Sequence, residues 1–316
     1  MANRPIVDLL EDAHATHPDV TILFGEQPPV DPAAPESTWF ASIHTTASGE
    51  PALVATRGAD RRLFRIAYAD GPSFVLDASG STVWVSWPAA LTMADTLSYL
   101  LGPIVGIVMR LRGIACLHAS AVELNGRAHV FAGPEGAGKS TLAAAFARGG
   151  ERVLSDDIVT VTRHRSEFLT APGYPRVRLW PDAMGALPAD VPALGDGARA
   201  AAGRHHLDLR AGDRFARRSQ PIAAIYFLEY AECAIQPRIE PVTPVDALPL
   251  LAASTFAGRV LDREGRIAEF EMVTDLAASV PMRRLVRAPG LNRIASVCAA
   301  VVDACSPCEP AATPRS

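Results

Sequence analysis

Residues Glu123–Val161 read ELNGRAHVFAGPEGAGKSTLAAAFARGGERVLSDDIVTV, and within them stands the pattern G-x-x-x-x-G-K-S, made by Gly133, Gly138, Lys139 and Ser140. The apolar AHVFA (Ala128 to Ala132) predicts a buried strand, and STLAAAFAR (Ser140 to Arg148) is strongly helix-forming until Gly149 and Gly150 stop it. A strand, a glycine turn and a helix start present successive backbone N–H groups with the positive end of the helix dipole, which suits a phosphate chain. Gly133, Gly136 and Gly138 let the backbone curl around such a ligand. Lys139 would set a compact cation on the β and γ oxygens, where the planar fork of arginine fits poorly. Ser140 would ligate magnesium, and Thr141 would touch a neighbouring phosphate or pack.

Lys139 is the only lysine in 316 residues; the other basic residues are all arginine. The motif arises by chance in roughly one chain in a hundred of this length. A composition that otherwise writes arginine makes a solvated chance lysine here less credible still.

Upstream, Asn125-Gly126 joins CLHASAVEL to RAHVFA and predicts a hairpin, so the strand entering the glycine loop pairs antiparallel with its predecessor. Downstream, Asp156 and Asp157 follow a short strand, 17 residues after Lys139. A metal-ligating aspartate belongs near that place, and a second carboxylate can serve as a base. The competing reading of the pair is a solvated turn.

LHASAV, GPEGAGKSTLAAAFARGGERVLSDDIVTV and the later GYPRVRLW resemble the HPr kinase/phosphorylase family and its relatives, whose nucleotide core is similar to that of the phosphoenolpyruvate carboxykinases. The likeness is nearest to divergent members that phosphorylate a serine of a ribosomally made peptide, lasso-peptide precursors among them. It implies an α/β fold: a P-loop kinase core with a mixed sheet, preceded by a smaller, mostly β domain. It implies Mg-ATP as phosphate donor, a protein or peptide carrying the acceptor serine as partner, and a homo-oligomeric assembly. By the same resemblance Gly133, Glu135, Gly136, Ala137, Gly138, Lys139, Ser140 and Thr141 bind the nucleotide, and His118 lies near the transferred phosphate. The carboxylate pair divides into Asp156 as base and Asp157 as magnesium ligand beside Ser140. The family's second arginine- and glycine-rich signature is missing; APGYPRVRLWPDA stands there, which counts against reverse phosphorylase activity and against HPr as the substrate. Arg176 and Arg178 alternate with Val177 and can share a face, as substrate contacts or as ordinary edge arginines. A small-molecule kinase, a carboxykinase-like enzyme and a nucleotide-dependent binding module remain the alternatives.

Residues 1–95 are expected to form the β domain, 96–305 the kinase-like body and 306–316 a disordered tail. LFRIAYADGPSFVLDASGSTVWVSW holds two turn signals, Asp70-Gly71 and Ser79-Gly80, and predicts a three-strand meander. Thr92 with Asp95 predicts the start of a helix carrying the apolar run Leu97 to Met109, which by itself is shorter than the about 20 residues a membrane span needs. Residues 182–203, rich in Ala, Gly and Pro, predict a long loop beside the site. A net charge of −4 gives no polybasic signature, so neither nucleic acid nor an anionic membrane is expected as partner. The acidic N-terminus without an apolar core predicts a cytoplasmic protein, and five scattered cysteines fit reduced thiols there. Cys298, Cys305 and Cys308 lack the fourth ligand of a zinc site.

With one lysine, an amine-selective reagent should modify Lys139 and the N-terminal amine alone, and saturating Mg-ATP should protect Lys139, as read by peptide mass spectrometry. Undiminished labelling at saturating nucleotide would remove the phosphate site.

Overall fold

A computed structural model describes residues 1–4, 6, 18–29, 36–186, 205–232 and 235–305, arranged as a mixed α/β structure. Most of the predicted loop, the tail and Cys308 lie outside the described residues. The N-terminal part is a six-stranded sheet of β1 (Thr21–Phe24), β2 (Glu36–Ala41), β3 (Leu53–Gly58), β4 (Leu63–Tyr68), β5 (Ser73–Asp77) and β6 (Thr82–Ser86). Its order is β1-β6-β5-β4-β3-β2, with β1 parallel to β6 and the other pairs antiparallel. The expected three strands are the last of a five-strand meander. β2 escapes a reading of alternation because none of its residues is fully buried. One face buries Phe64, Ile66, Phe74, Leu76, Val83 and Val85.

Helix α1 (Met93–Tyr99) opens with a reciprocal cap: Asp95 N donates to Thr92 Oγ1 at 3.2 Å, and Thr92 N donates to Asp95 Oδ2 at 2.9 Å. It runs through a π-helical turn (Leu100–Ile104, containing Pro103) into α2 (Val105–Leu111). The continuous 19-residue helix is longer than its apolar run suggests, and by length and composition it could cross a membrane. Its Leu97, Leu100, Ile104 and Val108 are instead buried in the core of the N-terminal sheet.

The second sheet contains β7 (Ala115–Leu124), β8 (Arg127–Ala132), β9 (Arg152–Ser155), β10 (Ile158–His164), β11 (Glu167–Thr170), β14 (Gln220–Tyr230), β15 (Arg238–Pro241) and β16 (Met282–Arg287). β7 and β8 pair antiparallel across the predicted turn, where Asn125 and Gly126 adopt φ of 52° and 71°. β8, β14 and β16 then run parallel, while β10 and β9 pair antiparallel with β7. Because β11 pairs with both β10 and β14, strands β7, β8, β14, β11 and β10 close a circuit.

Helix α3 (Lys139–Gly149) and α7 (Ile294–Cys305) cover one face through Leu142, Phe146, Val297 and Val301. Helices α5 (Pro244–Ser254) and α6 (Arg263–Ser279) cover the other through Ala247, Leu251, Val273 and Leu276. A short α4 (Pro181–Ala186) follows β12 (Arg176–Leu179), which pairs with β13 (His205–Asp208) as a separate ribbon. Helix α5 stops at Ser254, because Thr255 is already extended.

Leu100 is fully buried where the linking helix meets the sheet. Leu100→Ala should cost about 2–5 kcal/mol in urea unfolding followed by circular dichroism. A loss under 1 kcal/mol would mean that the helix does not hold the sheet.

Candidate functional site

The glycine loop between β8 and α3 is fixed from outside by the ends of the parallel strands. Gly138 has φ of 89°, a conformation few L side chains adopt, and a Cβ there would stand 2.3 Å from Arg287 Nη2. Arg287, buried at the end of β16, donates from Nη2 to the Ala137 carbonyl at 2.8 Å and to Tyr230 Oη at 3.0 Å. Tyr230 Oη in turn donates to the Gly136 carbonyl at 3.2 Å, with the guanidinium carbon 4.6 Å from the tyrosine ring centroid. The loop carbonyls are thus held from the strand side. No side chain caps the first turn of α3, whose N-cap is Gly138.

Lys139 is 7% exposed, and its Nζ donates to the carbonyls of Gly133 at 2.9 Å and Pro134 at 3.0 Å. Burial lowers its pKa, while the charges of Asp156, Asp157 and Glu135 pull the other way. The ammonium is therefore enclosed by its own loop beside three carboxylates. An arriving polyanion would meet a cation already stripped of much of its water.

Asp156 sits in the bend between β9 and β10. Its Oδ1 accepts from Ser120 Oγ at 2.6 Å and its Oδ2 accepts from the Arg178 backbone N–H at 3.1 Å, while the Ser140 hydroxyl lies near enough to pull weakly on the same carboxylate. Protein crowds it closely, although the residue keeps some contact with solvent. That crowding raises its pKa, the Asp157 charge adds to the effect, and the three donors oppose it.

Asp157, at φ of 77°, turns the other way. Its Oδ2 pairs with Arg178 Nη2, and its Oδ1 lies 3.2 Å from His118 Nδ1, which is also 3.2 Å from the Asp157 carbonyl. Gly102 of the π-helical turn comes so near that a Cβ there would stand 3.2 Å from Asp157 Oδ2. A narrow cleft follows, walled by Leu101, Gly102, Asp156, Asp157, Tyr174 and Arg178. Tyr68 of the N-terminal sheet adjoins it: burial drives its phenol well above the ordinary range, with the Asp157 charge adding and Arg178 opposing.

The structure brings Lys139, Ser140, Asp156, Asp157, His118 and Arg178 together. Arg176 also lines the cleft, and burial in β12 alternates, with Val177 and Leu179 inward and both arginines on the other face. Glu135 lies exposed at the loop, and Thr141 follows Ser140 in the first turn of α3. The sequence reading passed over Ser120, Arg287, Tyr230 and Gly102. Ser120 had a signal: it stands two residues after His118 on a strand, hence on the same face. Arg287 and Tyr230 had none, because only the parallel register of β14 and β16 brings their ends to the loop.

No group of three or more His, Cys, Asp or Glu side chains among the described residues forms a metal cage. Magnesium does not require one, since one or two carboxylates with substrate phosphates commonly hold it. Asp156 fits that role by position: its carboxylate stands near the Ser140 hydroxyl at a helix start, where a cation would offset the cost of keeping it ionised.

A carboxylate whose native pKa is raised holds its proton more tightly folded than unfolded, so stability falls as pH climbs above the ordinary carboxylate range. Asp156→Asn removes that loss. In differential scanning fluorimetry without ligands the variant should melt above the wild type at pH 8, by about 2–4 °C per kcal/mol recovered, and by less at pH 5. A variant less stable at pH 8 than at pH 5, relative to wild type, would contradict this electrostatic picture.

No family model matches the chain, and no curated protein matches it. Among solved structures the chain is similar to the HPr(Ser) kinase/phosphatase from Coxiella burnetii, at 11% sequence identity and a TM-score of 0.33, over 60% of this chain and 89% of that one. A likeness that loose carries nothing about the reaction.

Proposed function

We propose that the protein is an ATP-dependent kinase that transfers the γ-phosphoryl group to a serine hydroxyl of a protein or peptide. One observation carries the reading: Lys139 and Ser140 at the start of α3 face two adjacent aspartates, one held by Ser120 near Ser140 and the other paired with His118 and Arg178. Such a site has little covalent work to do. It aligns a hydroxyl and spreads charge.

In this reading the glycine loop N–H groups and Lys139 hold the β and γ phosphates. Ser140 and Asp156 hold magnesium, which supplies positive charge against the phosphate oxygens. Asp157 accepts the proton of the acceptor hydroxyl, oriented by His118 Nδ1. This reading exchanges the roles expected from the sequence: Asp156 is the carboxylate on which the Ser140 hydroxyl acts, and Asp157 is the one paired with His118. Arg178 restrains Asp157 until an acceptor enters, and with Arg176 it offers guanidinium to that acceptor or its phosphorylated product.

Asp157→Asn should lower transfer at least about 100-fold, the usual scale for loss of a general base, while calorimetric affinity for Mg-ATP stays within about threefold. Asp156→Asn should instead erase the difference between nucleotide affinity with and without magnesium. The opposite pattern would restore the order expected from the sequence, and absence of any nucleotide binding by the wild type would end the kinase reading.

A further inference from the structure

A second, larger cavity of about 900 Å³ opens between the N-terminal sheet and the start of α6. Seven arginines line it against two acids, Asp262 and Glu269. Both acids are already engaged. Glu269 pairs with the buried Arg110, and Asp262 caps α6 by accepting from Gly265 N at 2.8 Å. Arg163 is paired outside the cavity with Asp275. That leaves Arg57, Arg61, Arg259, Arg263 and Arg266 without an acidic partner among the described residues. Arg57 and Arg259 lie over the rings of Phe64 and Phe40, each with its guanidinium carbon 4.7 Å from the centroid. Stacking spends the guanidinium face and leaves its N–H edge for an anion. Arg57 Nε is buried with no hydrogen-bond partner among the described residues. In a chain of net charge −4, this concentration of unneutralised cations repels itself unless an anion enters.

Two elements run from this cavity to the catalytic cleft. The linking helix lines the cleft at Gly102 and the cavity at Arg110, a separation of about 12 Å at 1.5 Å per residue. β10 starts beside Asp157 and lines the cavity at Arg163, about 20 Å away at 3.3 Å per residue. An extended chain of roughly four to six residues covers such distances. We propose that the cavity binds an acidic stretch of the acceptor peptide, four to six residues from the hydroxyl presented to Asp157, so this inference rests on the kinase reading above. The basic groups are spread rather than convergent: Arg57 comes from β3, Arg259 from the 3-10 turn Gly258–Val260, and Arg263 and Arg266 from the start of α6. Trp39, Phe64 and Leu261 lie between the arginines. A line of carboxylates with apolar neighbours matches that lining better than one compact phosphate.

The test uses the full chain without nucleotide and a rhodamine-labelled hexaglutamate peptide, followed by fluorescence anisotropy at low ionic strength. Binding is expected, weakened at least tenfold in Arg259→Ala/Arg263→Ala/Arg266→Ala and lost near about 0.3 M salt, where exposed charges are screened. Calorimetry with Mg-ATP on the same variant should match the wild type, which shows that the fold and the phosphate loop persist. Absence of hexaglutamate binding, equal binding by variant and wild type, or binding of inorganic pyrophosphate that hexaglutamate does not displace would overturn the proposal. If hexaglutamate binding depends on the three arginines but no Mg-ATP binds to either protein, the kinase reading falls and the acidic-peptide site stands.

Discussion

The site turns on one carboxylate kept in a crowded place. Taking Asp156 from water is unfavourable, and Ser120, Ser140 and the Arg178 backbone offset only part of that cost. Each donor comes from a different element: β7, α3 and β12. Satisfying this one group therefore fixes where the hairpin, the helix start and the ribbon meet. The same crowding leaves an unmet demand for positive charge beside Lys139, and a divalent cation with a polyphosphate would meet it.

The adjacent aspartate shows how a backbone constraint assigns different surroundings to identical side chains. Asp157 adopts positive φ, an arrangement that costs a non-glycine residue energy, and its carboxylate meets His118 and Arg178. Two acids in sequence thus face different partners, which lets one be a metal ligand and the other a base. The linking helix completes the enclosure. Its π-helical turn, with Pro103 inside and Gly102 against Asp157, brings backbone where a side chain would collide. That helix buries its apolar face in the N-terminal sheet while its Leu101 and Gly102 line the cleft, and Tyr68 of the sheet lies close enough to feel the charges of Arg178 and Asp157.

Much of the site was legible in the chain. The hairpin at Asn125-Gly126 follows from turn chemistry, and the capped helix start at Thr92 follows from paired side chains three residues apart. The glycine loop, Lys139, the helix behind it and the carboxylate pair all fall within a few dozen residues, where local rules of strand, turn and helix apply. His118 was placed by resemblance, and it meets Asp157 because β10 pairs with β7 in the register Ile158↔His118.

The remainder belongs to the tertiary structure because it depends on distances no local pattern encodes. Arg287 and Tyr230 hold loop carbonyls more than 90 residues away in sequence, since parallel strands align their ends. The partition of the aspartates depends on one positive φ and on which hydroxyl lies nearest. The arginine cavity gathers side chains from β3, α2, β10 and α6, none of which is conspicuous in a sequence that uses arginine almost everywhere. The chain by itself determined that a glycine loop carrying the one lysine is followed closely by a pair of acids. Folding decided which acid meets which partner, because only packing brings separated donors within hydrogen-bond reach.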